Sequence, residues 1–470
     1  MGLVQTINFS DFSSHKLLRF DFKYLNYQTN KKNVTNFIKV KDCITSYFKG
    51  FAFKSENFKD DGNVYVLKGD LFNDDFSINF DKIQYLDDIF FNTHNKFKLN
   101  QNDIVVSLVG SIGKMVIIDD NYNMLLNQNN ISLQVNNKLF YNKFFAYILR
   151  YEINDLVNNI YNNSGYSFLS IDDLFNLQIP NINLTTQKKA IKQIEPIEQE
   201  IQNLKSQKKE HLEIINDVFS EEFKIDLEEI KKLDHTKQFS LKLHCISLKN
   251  DLLRTSFKWH KLEKIQSYMY KNINCIQKLS QYILNTNNGW SPQSNDIDDG
   301  TPILGQEHIL KNGKISLEAS KFTQITKNNI ENFYVKQNDF FVSRGNTLDL
   351  VALAGVVKSE VDKDIIYPDL YIKIDFDNSI YKEYMAYIFN SFIGRIYFKH
   401  VAKGKNQTMV KVSSKELNDF YLPIPTKEIQ QQIVDKIKTK IDTQKEIDIQ
   451  IEQKQKQIGK IIEDCIKGKS

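Results

Sequence analysis

Cysteine and proline are scarce in this chain, four and seven in 470 residues, and glycine is sparse at 17. Cys43, Cys245, Cys275 and Cys465 stand far apart, with no C-x-x-C pair and no histidine at zinc-ligand spacing. That excludes a disulfide scaffold and the common zinc modules, and it fits a reduced, cytoplasmic setting. His244 and Cys245 are neighbours, but adjacent residues on an extended strand face opposite ways and do not share a metal. No run of about 18 apolar residues occurs, and no charged N-terminal segment precedes a long apolar one, so neither a membrane span nor an export signal is expected. An excess of one charge is missing too. The 62 Lys and Arg against 58 Asp and Glu leave +4, which rules out a polybasic tail protein but permits one basic face.

Signatures of catalysis are equally thin. Gly110, Gly113 and Lys114 form only G-x-x-G-K, too short for a nucleotide-triphosphate loop, and no two glycines are separated by a single residue, as dinucleotide loops require. None of the seven prolines follows an Asn, so the Asn-Pro-Pro-aromatic motif of amino-methyltransferases is absent. Pro368-Asp369 opens like a metal-dependent nuclease site, but the acidic-x-Lys element that should follow is missing. The eight histidines show no H-x-x-x-H spacing. These gaps together point to a binder rather than a catalyst.

What the sequence does contain is size and repetition. Hydrophobic residues make up 41% and aromatic residues 12%, enough for more than one core in a chain two to three times the usual domain length. Leu17-Leu18-Arg19 with Phe22-Lys23-Tyr24 returns as Leu252-Leu253-Arg254 with Phe257-Lys258-Trp259. GFAFKSENFKDDG from Gly50 returns as GWSPQSNDIDDG from Gly289, and Gln101-Asn102-Asp103 before an apolar run returns as Gln337-Asn338-Asp339. SIDDLFNLQIPNINLTTQKKAIKQI from Ser170 matches SSKELNDFYLPIPTKEIQQQIVDKI from Ser413, pairing Pro180 with Pro423 and Gln187 with Gln430. Four matches in the same order describe an internal duplication.

Each half begins with short β-branched and aromatic runs bounded by Gly, Asn and Asp, which predicts an α/β (α+β) unit. It ends in a helical pattern. Ile191, Ile194, Ile201, Leu204 and Ile215 mark an apolar stripe in the first half, and Ile433, Ile437, Ile441, Ile451 and Ile458 mark one in the second. A narrow stripe on a helix of roughly 37 residues, about 55 Å long, needs another long helix to cover it. The copy in the other half is the nearest partner, giving a coiled coil within the chain; pairing between two chains is the alternative. Pro196 inside the first pattern predicts a kink or restart, and Thr426 is the expected N-cap of the second helix. The resulting division is an α/β unit at 1–182, a helix at 183–223, a linker at 224–249, a second α/β unit at 250–425 and a second helix at 426–470.

Leu174, Leu177, Ile179, Pro180, Gln187 and Ile191, with Leu417, Leu422, Pro423, Ile424, Pro425, Gln430 and Val434, carry a resemblance to the DNA specificity subunit of type I restriction-modification systems. The resemblance covers almost the whole chain. It departs from the pattern at Asn181, where a second proline is expected, and at Pro196. It implies that the two α/β units are target recognition domains, each reading half of a split, asymmetric site in double-stranded DNA. It also implies that the two long helices pack as an antiparallel coiled coil, set the half-site spacing and hold two modification subunits, in a pseudo-twofold arrangement. The chain itself would then be non-catalytic, with S-adenosylmethionine bound by the modification subunit and ATP and magnesium by the restriction (translocase) subunits. Two other readings stay open: the recognition subunit of a system whose partner combines methylation and cleavage, and a coiled-coil scaffold that binds only proteins.

DNA contact calls for Lys and Arg against phosphate and for Asn, Gln or Arg against base edges. Polar loops supply the candidates. The first is Lys399, Lys403, Lys405, Asn406 and Gln407, whose first-half counterpart contains Tyr166 and Ser167. The second is Arg344 and Asn346, with Ser111 and Lys114 opposite, and the third is Ser291 and Gln293 beside Trp290, with Lys54 and Phe51 opposite.

Overall fold

The computed structural model describes residues 36–157, 168–238, 240, 256–319, 321–406 and 409–468. The repeat segments at 17–24 and 252–254, the pair His244–Cys245, and Tyr166, Ser167 and Gln407 lie outside the described residues. The chain divides into two compact units, one of residues 1–206 with 449–470 and one of residues 207–448.

In the first unit a four-stranded antiparallel sheet runs in the order Ile44–Lys49, Asn130–Val135, Ile104–Ser107, Met115–Ile117. In the second the order is Ile283–Asn288, Tyr371–Phe376, Phe340–Ser343, Ala354–Val356, again antiparallel. The two sheets share their irregularities. The first strand of each carries a register shift after its first residue, between Ile44 and Ser46 and between Ile283 and Asn285. The internal strands Ile104–Ser107 and Phe340–Ser343 are fully buried, so they open as apolar runs rather than alternating ones.

The repeated motifs are the hinges of this design. Asn102 and Asn338 take positive φ values of 73° and 66°, and the next residue closes the turn by accepting a backbone N–H: Asp103 from Asn100 at 3.0 Å, Asp339 from Lys336 at 2.8 Å. The turn launches the fully buried strand, Ile104–Ser107 or Phe340–Ser343, and Asn tolerates the left-handed conformation it needs. Gly50 and Gly289 end the edge strands where a Cβ would lie 2.0 Å from the Asn127 carbonyl and 2.2 Å from that of Pro368, so only glycine fits.

The Pro motifs form short strands, Gln178–Pro180 paired with Phe37–Lys39 and Tyr421–Pro423 paired with Ile276–Lys278. Asn181 N–H donates to Asn36 and Ile424 N–H to Cys275, so these two are counterparts, and Ile182 rather than Asn181 stands opposite Pro425. The buried glutamines that follow make one set of bonds twice. Gln187 accepts from Tyr141 N–H and donates to the carbonyls of Leu139 and Ile182. Gln430 accepts from Tyr381 N–H and donates to those of Ser379 and Pro425. Each ties the start of its helix to the loop before the neighbouring helix, and all three polar groups of the amide are used.

Helix Leu184–Ser206 continues through Pro196 with no restart, and the interruption falls at 207–210, before helix His211–Phe223. There Lys209 N–H donates to Gln444 Oε1 at 2.7 Å, and Lys208 pairs with Asp448 at 2.7 Å. A proline deprives a helix of one hydrogen bond, whereas the break at 207–210 has its freed backbone taken up by a side chain of the facing helix. The segment expected as a linker holds a further helix, Leu227–His235. The last helix, Lys427–Ile466, is a single element of 40 residues, about 60 Å long.

The apolar stripes are buried inside the units. Ile215, Ile433 and Ile437 belong to the core of the second unit, with Ile441 packed against it, so its α/β body covers the start of the long helix. In the first unit Ile194, Ile201, Ile451 and Ile458 are buried, and Ile191 and Leu204 are half-buried. Residues this enclosed serve packing. In the second unit the helices face each other antiparallel, Lys209 meeting Gln444 and Glu221 meeting Lys436 and Lys440, and in the first Glu200 meets Lys454. No described helix is long and apolar enough to cross a membrane.

Candidate nucleic-acid interface

In the second unit the topology gathers the three loop clusters. Strand Gly345–Asn346 pairs with Met409–Lys411, which pairs with Lys403–Asn406, so the Arg344 loop and the lysine loop belong to one three-stranded sheet. The Ser291 loop joins through Asp369. Ser291 Oγ bonds Asp369, and Arg344 Nη1 reaches the Asp369 carbonyl at 3.5 Å, while Arg344 N–H donates to Leu370 at 2.7 Å. Beneath them Ser343 is buried and Gln306 Nε2 donates to the Gly345 carbonyl.

The individual candidates differ in freedom. Of the described arginines, burial lowers Arg150 and Arg395, whose guanidinium groups donate to backbone carbonyls. Arg344 is half-buried at a sheet margin. Asn346 is half-buried and its Oδ1 accepts from Thr347 N–H at 2.8 Å, leaving its amide NH2 for other partners. Gln293 is exposed. Lys403 Nζ, three-quarters exposed, pairs with Glu416 Oε1 at 2.6 Å. Burial raises the Glu416 carboxyl, but hydrogen bonds from Lys403 and Ser413 outweigh it and hold the group below the usual carboxylate range. The side chains of Lys405 and Asn406 lie outside the described residues, although their backbone forms the outer strand. Lys399 does not join this face through a contact. Its Nζ lies 3.4 Å from Asp234, which also meets Lys261 and His400, so it helps fasten helix Leu227–His235 to helix Phe392–Val401.

In the first unit Ser111 and Lys114 are exposed in a turn whose glycines, Gly110 and Gly113, both have φ of 78°. Lys114 Nζ stands 3.9 Å from Asp74. Lys54 is exposed with Glu56 at 3.7 Å. Phe51 packs against Phe53 and His94, and Trp290 of the second unit packs against Phe333, with Lys327 over both rings of that pair.

Sequence reasoning missed three participants. Asp369 was considered only as a metal ligand, yet it clasps two loops. Lys411 and Met409 are exposed beside Gly345 and Asn346. In the first unit Phe168 corresponds to Lys411 and Val109 to Gly345; both are exposed and joined by an antiparallel bridge as Gly345 and Lys411 are. Leu169 N–H donates to Leu108, and Val412 N–H to Arg344, which fixes the correspondence. The offset that pairs Pro180 with Pro423, carried back along the chain, also pairs Phe168 with Lys411 and would have found that position. Among the described residues no group of three or more His, Cys, Asp or Glu could hold a metal ion.

Residues 31–214, less than half of the chain, match the type I restriction modification DNA specificity domain. No curated protein matches the chain in sequence. Among solved structures, one describing the assembly and conformational transition of a type I restriction-modification system shares 10% identity at a TM-score of 0.50, over 92% of this chain and 98% of that one. The S subunit from M. genitalium shares 14% at 0.38, over 92% and 96%. The HsdS subunit from Thermoanaerobacter tengcongensis shares 10% at 0.36, over 92% and 97%. The first of these likenesses is one of fold.

Proposed function

Starting from a chain that matches the DNA specificity domain family of type I restriction-modification systems, we propose that this protein is the DNA-recognition subunit of such a system. Each α/β body, the first within 1–182 and the second within 250–425, is a target recognition domain that reads one half of a bipartite, asymmetric site in double-stranded DNA. The antiparallel helices set the distance between half-sites and hold two modification subunits, which supply S-adenosylmethionine and methyl transfer; restriction subunits join the same assembly. The chain itself carries no chemistry in this reading.

The observation that carries the proposal is the convergence of Ser291, Gln293, Arg344, Asn346 and Lys403 on adjoining loops of one unit, built on a sheet whose order and irregularities recur in the other. A scaffold that binds only proteins has no need to hold an arginine and two amides together on loops anchored to one sheet. Duplication of the body supports two half-sites, since each copy can carry different loops on the same frame.

Methylated sites mapped in cells carrying a chain whose residues 250–425 come from a relative test the division of labour. One half of the methylated sequence is expected to change and the other to persist. Change in both halves, or in neither, sinks the proposal.

A further inference from the structure

One pair of matching loops has lost its charge balance. Segments 72–78 and 309–315 are copies: Phe72 bridges Ile78 and Ile309 bridges Ile315. Phe76 and Gly313 have φ of 66° and 77°, and their carbonyls accept from Ile117 and Val356 N–H. Asp75 Oδ1 accepts from Ser77 N–H and Asn312 Oδ1 from Lys314 N–H, each at 3.2 Å. Both loops face a tyrosine of the adjacent helix, Tyr147 or Tyr387.

In the first unit the charges are matched within the chain. Asp75 Oδ2 accepts from Gln202 at 3.0 Å and Lys205 at 3.2 Å, and Glu198 accepts from Tyr147 and pairs with Lys143. In the second unit Asn312 stands where Asp75 did and Lys314 where Ser77 did, while the long helix presents Lys438 and Lys445. The buried Glu383 is shared between Lys358 and Lys438, and Asp442 is taken by Lys445 at 2.7 Å. Lys314 forms no ion pair among the described residues and acts on Asp442 only at longer range. Lys314, Lys358, Lys438 and Lys445 against Glu383 and Asp442 leave two positive charges around a cavity of about 330 Å³. Burial, with Lys438 and Lys314 nearby, pushes the Lys358 ammonium down to about 8. An oxyanion in the cavity relieves that repulsion.

We propose that this cavity binds the phosphate group of a small phosphate monoester of nucleotide size. Its volume is at the lower end of small-molecule sites, and Tyr387 and Ile441 supply an apolar wall beside the lysines. Gly313 holds the loop close to the helix, since a Cβ there would stand 3.2 Å from Ala386 and Tyr387. Lys314 and Lys438 are the point charges that meet the phosphate oxygens. The site is separate from the loops assigned to DNA, and its failure would leave that assignment untouched.

Calorimetric titration of the full chain at constant ionic strength tests it, with adenosine monophosphate, inorganic phosphate and adenosine as probes. Adenosine monophosphate is expected to bind saturably at one site per chain, phosphate to compete, and adenosine to bind at least about tenfold more weakly. Lys314→Gln, which breaks no ion pair, is expected to weaken binding by about tenfold with an unchanged thermal midpoint, and Lys205→Gln in the other unit to have no effect. No saturable binding, or equal affinity in Lys314→Gln, overturns the site. Binding of inorganic phosphate without adenosine monophosphate overturns the nucleotide-sized occupant.

Discussion

The hydroxyl of Ser291 donates to Asp369 Oδ1 at 2.6 Å and accepts from the Asp369 N–H at 3.0 Å, so one side chain fixes two loops 78 residues apart. Arg344 approaches the same residue through the Asp369 carbonyl. The carboxylate is thereby engaged by the serine while the arginine remains at a sheet margin with donors to spare.

Arg344→Ala is expected to lower DNA affinity of the assembled complex by about 1–3 kcal/mol, and to relax preference at a single position of one half-site. Binding to the methylated site and to its single-base variants, at fixed salt, separates the possibilities. A uniform loss on all sequences assigns Arg344 to phosphate. No loss removes it from the interface.

Gln430→Ala should destabilise the second unit by about 2–4 kcal/mol, because Tyr381 N–H and the carbonyls of Ser379 and Pro425 lose buried partners together. Gln187→Ala should do the same to the first unit through Tyr141, Leu139 and Ile182. Denaturant midpoints check both. A loss below about 0.5 kcal/mol would mean that water replaces the amide at little cost.

Much of this frame was legible because its hinges depend on backbone conformation. The Asn102 and Asn338 turns favour a residue that tolerates positive φ, Gly50 and Gly289 leave no room for a Cβ, and the paired glutamines must supply an amide, so all three survive duplication as readable motifs. Charge and loop chemistry are less constrained by the fold. Lys399 looked like part of a basic loop, but its position on helix Phe392–Val401 brings it to Asp234, a residue 165 positions away that no local pattern points to. Pro196 looked like a helix breaker, and the interruption lay instead where Gln444 could cap it. Long-range partners decided both cases, and sequence spacing does not carry them.

Glu416 gives the second unit a dependence on pH. Its folded carboxyl lies below the unfolded value of 4.5, so the stabilisation is complete above that value and is lost as pH falls through the lower folded one. The stability difference between the native chain and Glu416→Gln is therefore expected to be largest near neutrality and to shrink as the solution is taken below pH 4.5. Urea midpoints over that range are the check. A difference that grows toward acid contradicts the assigned hydrogen bonds from Lys403 and Ser413.

The spacing role proposed for the helices can be tested by lengthening one of them. Four residues inserted between Ile447 and Ile451 extend helix Lys427–Ile466 by about 6 Å and keep most of its stripe in phase. The insertion lies next to Asp448, which pairs with Lys208 at the interrupted segment 207–210, and that segment is where the facing helices can yield without breaking a continuous hydrogen-bonded turn. The cores that hold Ile433 and Ile437 in one unit and Ile194 and Ile201 in the other lie away from the change, so both α/β bodies should fold and, in the proposed function, keep their half-sites. The unspecified spacer between the half-sites should lengthen by one or two base pairs, at about 3.4 Å each. Sequencing methylated sites in cells that carry the insertion decides it, because an unchanged spacer with full activity would mean that the helices hold partners without measuring the DNA.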